Sequence, residues 1–407
     1  MRSRSTYGWS GRHLSQSRQG ALMSIEEKES AADSQGAGQP ATQAAARTGS
    51  RYRFRAGVAA AVALALLPIG WIATGAGASA AGKSPAANRG APTTPEGGIP
   101  VSKPTPFTTF QPLTLAVPHR PVNLEIKVSA PVTGRSLPII LLSHGHGETN
   151  YLSSMHGYGP LADFYAAHGF VVIQPTHLDS KVLGLREANN PEAPLYWRSR
   201  VNDMRYILDH LDKIEKSAPD LRGRLDSKRI AVVGHSLGGT TATMLLGQSV
   251  TDPATGPLKL ADSRIKAGVA MAPAGNGADL TEPAKAQSPA LATMKFDKMT
   301  KPALIVYGDD DFNPAFSARK NWRSDAYFQS PGPKSLLTLF GAQHSLGGVS
   351  GYDAKETTDE NPQRVAVVRA MSWAYLRSQL YPGDRAWPAA VAALNRASQP
   401  LGKVESK

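Results

Sequence analysis

The sequence predicts an α/β domain built on a mostly parallel central sheet with helices on both faces, and three observations point there. Short apolar runs alternate with amphipathic helical stretches between residues 123 and 380. Runs such as Ile139-Ile140-Leu141-Leu142 and Ile230-Ala231-Val232-Val233 lack the polar alternation of a half-exposed strand, so they fit strands buried on both faces. The chemically distinctive residues stand on the loops that follow such runs, at the carboxyl edge where an open parallel sheet forms its cleft.

Taken in order, residues 123–128 and 137–142 read as strands, 160–168 as a helix and 170–174 as the next strand. Residues 197–216 carry Val201, Met204, Ile207, Leu208, Leu211 and Ile214 at helical spacing, a stripe that belongs against the core. The charged Arg198, Arg200, Asp203 and Arg205 of the same helix read as a solvated face with local ion pairs. Strand 229–233, helix 240–248, strands 265–270, 303–307 and 335–340, and a closing helix 365–380 complete the pattern. The long connections 179–197 and 271–301, rich in Pro, Gly and Ala, read either as a small lid or as loose surface loops.

The most informative stretch is Gly234-His235-Ser236-Leu237-Gly238-Gly239, set between the apolar run 230–233 and the helix-forming residues 240–246. A Gly-x-Ser-x-Gly turn between strand and helix lifts a serine hydroxyl above the end of the sheet, and small residues two before and two after let the backbone close. The alternatives are a tight connection without chemistry, or a phosphate-cradling loop; the latter needs glycine spacings that this stretch lacks. Downstream, the strand pattern 303–308 empties into Asp309-Asp310-Asp311, and the strand 335–340 is followed by Gly341-Ala342-Gln343-His344. Nucleophile, acid and histidine thus follow in the order Ser, Asp, His, each at a strand end. Singly, the Asp triplet reads as a solvated turn and His344 as a surface residue; jointly they fit one mechanism. Adjacent acids on an extended loop cannot all face one ion, which argues against a cation site.

With these stretches, together with 137–147 and 167–177, the chain resembles the α/β-hydrolases over residues 107–385. It is most similar to an esterase branch of chlorophyllase-like, dienelactone-hydrolase-like and platelet-activating-factor-acetylhydrolase-like enzymes. The resemblance implies a serine hydrolase with Ser236 as nucleophile, His344 as general base and Asp311, three residues after the strand-terminal Gly308, as the acid. Asp310 is the adjacent alternative, and Asp279 the alternative if the acid stands on the preceding strand end. His144-Gly145-His146-Gly147 follows the strand 139–142, and the backbone amides of His146 and Leu237 are the expected oxyanion donors, each worth about 3 kcal/mol. His144 and His146 alone make a poor zinc site, because further ligands are lacking. No cofactor and no metal are expected. The expected substrates are small-molecule or lipid and polymer esters; acyl transfer with the same triad, peptidase or amidase activity, and a noncatalytic binding protein are the alternatives.

The N-terminal quarter reads as an address. Residues 1–55 are polar and low in aromatics, a leader expected to be disordered, within which Met23 is an alternative start. Residues 56–80 are uncharged, preceded by Arg47, Arg51, Arg53 and Arg55 and ended by Ala78-Ser79-Ala80, the pattern of an export signal; an uncleaved membrane anchor is the rival. Either way the catalytic domain lies outside the cytoplasm. Residues 81–106 read as a flexible linker, 107–395 as the catalytic domain and 396–407 as a tail. Residues 1–55 hold nine Lys/Arg and four Asp/Glu, so +8 of the chain's +13 belongs to the remainder. That charge lies in no compact run, so attraction to anionic envelopes or membranes fits it and nucleic-acid binding does not. The absence of cysteine excludes disulfides and a thiol nucleophile. A domain of this size buries enough core to stand as a monomer without them.

Overall fold

The computed structural model describes residues 93–351 and 354–407; the leader, the export segment and the first part of the expected linker lie outside the described residues. Described residues form a small antiparallel hairpin, β1 (Thr93–Glu96) with β2 (Ile99–Ser102), and then the central sheet. Its first strands are β3 (Phe107–Leu115), β4 (Leu124–Pro131), β5 (Leu137–Ser143) and β6 (Val171–Pro175), with helix α1 (Gly159–Ala167) between the last two. Helices α2 (Trp197–Asp209) and α3 (Leu211–Ser217) lead to β7 (Leu225–His235) and α4 (Leu237–Leu246). After a short hairpin of β8 (Val250–Asp252) and β9 (Gly256–Leu258) come β10 (Ile265–Met271), α5 (Glu282–Gln287) and β11 (Ala303–Gly308). Short helix α6 (Asp325–Phe328), β12 (Lys334–Leu339), α7 (Pro362–Leu380), α8 (Ala386–Arg396) and β13 (Gly402–Ser406) complete the chain.

The sheet has nine strands in the order β13-β12-β11-β10-β7-β5-β6-β4-β3. Strands from β12 to β6 run parallel, while β4, β3 and β13 pair antiparallel at the edges. The two-faced burial expected of the apolar runs is direct: Ile139, Leu141, Ile230 and Val232 enter one core, and Ile140, Leu142, Ala231 and Val233 enter the other, on the opposite face. Helices α2 and α4 pack in the first core, and α1, α7 and α8 in the second.

Five sequence expectations need correction. The linker 81–106 contains the β1–β2 hairpin, whose Ile99 and Val101 are buried in the second core and whose Glu96 pairs with Arg369 of α7. The tail 396–407 contains β13, zipped onto β12 from Ser335 to Leu339. The helix 197–216 breaks at His210, where the ring Nδ1–H donates to the Tyr206 carbonyl at 2.8 Å. That carbonyl is the acceptor the His210 amide would need to continue the helix; the amide bonds Ile207 instead. Arg200 and Asp203 are buried rather than solvated. The connection 271–301 is no loose loop, since Leu280, Leu291, Met294, Phe296 and Met299 all enter the first core.

Candidate active site

Strand β7 ends at His235 and helix α4 starts at Leu237, so Ser236 alone makes the turn, with φ 56° and ψ −123°. This conformation is unfavourable for a residue with a side chain, and the surrounding packing enforces it. A Cβ at Gly234 would lie 2.1 Å from the Gly238 carbonyl oxygen, and one at Gly238 would lie 2.1 Å from that of Ser143. Both are backbone atoms that cannot move aside. Gly234→Ala is therefore expected to cost about 3 kcal/mol or more, read as a lowered thermal midpoint together with lost activity. The Ser236 amide is fixed to the Met271 carbonyl at 2.9 Å, joining the turn to β10.

The structure brings Ser236, His344 and Asp311 together. Ser236 Oγ lies 2.9 Å from His344 Nε2, and His344 Nδ1 lies 2.9 Å from Asp311 Oδ2. A carboxylate only accepts, so Nδ1 carries the proton and Nε2 is free to accept from the serine. Asp311 is buried; Asp310 is exposed, and Asp279 pairs with Arg319, so neither alternative acid lies on the imidazole. Burial pushes the Asp311 carboxyl up, but His344 and Arg323 outweigh it and hold it below its ordinary value. The His344 side chain is 39 % exposed, so its edge faces solvent. Desolvation on its inner side and the Arg323 guanidinium together depress its basicity against the pull of Asp311.

The loop after β5 is held by side chains from several elements. Arg200 donates to the His144 carbonyl, His144 Nδ1–H to the Gly145 carbonyl at 2.7 Å, and Arg186 to the Gly147 carbonyl. The Gly145 amide donates to Tyr158 Oη at 3.0 Å, and the Thr149 amide to Glu356 at 2.8 Å. Among the described residues nothing accepts from the amides of His146 or Leu237. Leu237 opens α4, where amides lack intrahelical partners, so its N–H is free for a ligand. The His146 ring is tied to Asp179 at 3.0 Å, and His144 Nε2 accepts from the His177 amide at 3.1 Å. Both imidazoles therefore serve the loop itself.

Two features escaped the reading of the sequence. The Tyr158 hydroxyl donates to His235 Nδ1 at 3.0 Å, and His235 Nε2–H donates to the His344 carbonyl at 2.7 Å, so one chain of hydrogen bonds links the loop of His146 to that of His344. Burial and the neighbouring His344 push His235 down to about 3, which keeps it neutral for this role. Beneath the loop lies a second array of the same residue types: Ser143 Oγ is 3.0 Å from His177 Nε2, and His177 Nδ1 is 2.9 Å from Asp203 Oδ2. Ser143 and His177 are fully buried, whereas Ser236 is partly exposed. Burial holds His177 neutral and raises Asp203 to about 6 in spite of Arg120. A hydroxyl sealed from solvent cannot meet a substrate, so this array supports the loop. Among the aromatic residues on the loops around the site, Tyr158, Tyr196 and Trp197 are buried, while Tyr151, Phe312 and Phe316 are exposed.

Comparison with known proteins agrees with this architecture. A model of the Alpha/beta hydrolase family matches residues 139–405. Platelet-activating factor acetylhydrolase from Cavia porcellus is 24 % identical over 186 residues, covering 37 % of this chain and 38 % of the relative. The chain thus spans less than half the length of that curated relative. The family match takes in β5 from Ile139 onward, the serine turn, and the Asp311 and His344 loops, and it covers most of the chain. The chain belongs to the alpha/beta hydrolase family.

Proposed function

We propose that the protein is an exported serine hydrolase that cleaves carboxylic esters through an acyl-enzyme formed on Ser236. The observation that carries this reading is the hydrogen-bonded line from Ser236 through His344 to Asp311 at 2.9 Å per step, on a strained turn open to solvent. His344 takes the serine proton as Oγ attacks the ester carbonyl, and Asp311 stabilises the imidazolium. The amides of His146 and Leu237 receive the oxyanion. His344 then gives its proton to the leaving alcohol, and water, activated by the same imidazole, releases the acid. Family membership and the similarity to an acetylhydrolase support hydrolysis of small-molecule or lipid esters.

The test is a panel of p-nitrophenyl esters of rising chain length, run beside labelling by a fluorophosphonate. The expected result is hydrolysis of esters with stoichiometric label on the peptide that carries Ser236. No turnover of any ester and no label would refute the reading. If added alcohol became the main acyl acceptor, the acid product would be replaced by a new ester and transfer would be the reaction. Export is supported by the uncharged span 56–80 behind its arginines. An N-terminus mapped near residue 81 in the culture medium is the expected result.

A further inference from the structure

Arg323 lies in the 3-10 turn Trp322–Ser324, outside every motif that marks the site in the sequence, yet it touches the acid of the Ser236 line. Its Nε forms an ion pair with Asp311 Oδ2 at 2.8 Å, the same oxygen that accepts from His344 at 2.9 Å. The other arm of the guanidinium donates to the carbonyls of Ala272 at 3.1 Å and Pro273 at 3.5 Å, on the loop after β10. Its side chain is 9 % exposed, so the cation is neither mobile nor screened like a surface charge. We propose that Arg323 is a positioning residue of the hydrolytic site, which pins the Asp311 carboxylate to the β10 loop and extends activity to lower pH.

The sign follows from charge. His344 serves as base only when neutral, so kcat/KM falls on the acid side as the ring becomes protonated. A fixed cation one carboxylate away disfavours the imidazolium and moves that fall to lower pH. The other groups around the ring do not replace it. His235, at 5.0 Å between ring centres, is held neutral between Tyr158 and the His344 carbonyl. Asp359 acts on His344 from the far loop but is paired with Arg364 at 3.2 Å, and Glu356 is engaged by Thr149. Lysine would keep the charge at 323 but could not reach both Asp311 and the 272–273 carbonyls, because it lacks the fork.

This inference rests on the ester-hydrolase reading, so its test includes a measurement that needs no turnover. In the full chain, Arg323→Gln is expected to move the acid limb of kcat/KM up by about one pH unit, costing about tenfold in activity at pH 5 relative to the plateau. Arg323→Lys is expected to leave the limb in place and lower the plateau. An NMR titration of the His344 ring in a Ser236→Ala background should show the same upward shift on Arg323→Gln. A plateau loss with limb and NMR midpoint unmoved would overturn the proposal, leaving Arg323 a brace. Should the glutamine variant not fold, the parent chain decides: the His344 midpoint is expected below the ordinary value of about 6.5, and a midpoint at or above it overturns the proposal. An NMR shift without any ester turnover would instead remove the ester reading and leave the coupling intact.

Discussion

Replacing Ser236 by alanine is expected to reduce kcat for p-nitrophenyl esters by about 10⁴–10⁶-fold, with little change in thermal midpoint. Folding does not depend on the hydroxyl, since the fixed groups at this position are the backbone amide on Met271 and the carbonyl that starts α4. Chemistry does depend on it, because no other atom of the turn is a nucleophile 2.9 Å from His344 Nε2. The informative control is Ser143→Ala, which breaks the other Ser-His-Asp array. It should lower activity by no more than about tenfold, through slackening of the loop. Fluorophosphonate labelling should persist there and vanish in Ser236→Ala. The reverse pattern would place the nucleophile in the buried array and refute the assignment.

The second large effect is expected at Arg200. Its guanidinium is fully buried between the Asp179 carboxylate, the His144 carbonyl and Thr241 of α4. Among the described residues Arg200→Met leaves Asp179 the His146 ring alone as side-chain partner, and an uncompensated buried charge costs about 3–5 kcal/mol. For a domain of this size that is a fall of about 6–15 °C in thermal midpoint. Folded protein should also lose about 100-fold in kcat, because the peptide that presents the His146 amide is no longer held. The double change Asp179→Asn with Arg200→Met leaves no bare charge and should be the more stable of the two. Equal loss in both would mean that packing, not charge, is at stake. Burial raises the Asp179 carboxyl, but Arg200 and the His146 hydrogen bond more than offset this, leaving it below its ordinary value. The pair's contribution is then fully present above the unfolded pKa of about 3.9 and is lost as pH falls through the depressed native value.

Strands β5, β6, β7, β10, β11 and β12 were legible as short apolar runs set among turn residues, and β4 by the alternation of Leu124, Ile126 and Val128 with polar residues. The β1–β2 hairpin was not: Pro95 and Pro100 made it read as linker, although Gly97-Gly98 followed by Ile99 and Val101 is a turn with one apolar face. Strand β13, Gly-Lys-Val-Glu-Ser, has a single apolar residue and owes its place to the free edge of β12. Arg200 and Asp203 were legible in principle. They fall at the spacing of the apolar stripe of α2, three residues apart and beside Val201 and Met204, and charge by itself does not imply exposure. Arg323 carried no signal at all, since nothing local marks a residue that acts through a carboxylate on another loop.

Family resemblance singled out Asp311; the order of residue types alone was enough to nominate Ser236, an acid among Asp309, Asp310 and Asp311, and His344, because each stands where a parallel strand must end. It could not say which carboxylate meets the imidazole, nor that a second serine, histidine and aspartate are linked in the same way beneath the loop. Those distinctions rest on atoms that are 108 residues apart in the case of Ser236 and His344, and on which groups are closed off from water. Hydrogen bonding and desolvation are set by neighbours in space, and only the packed sheet supplies those neighbours.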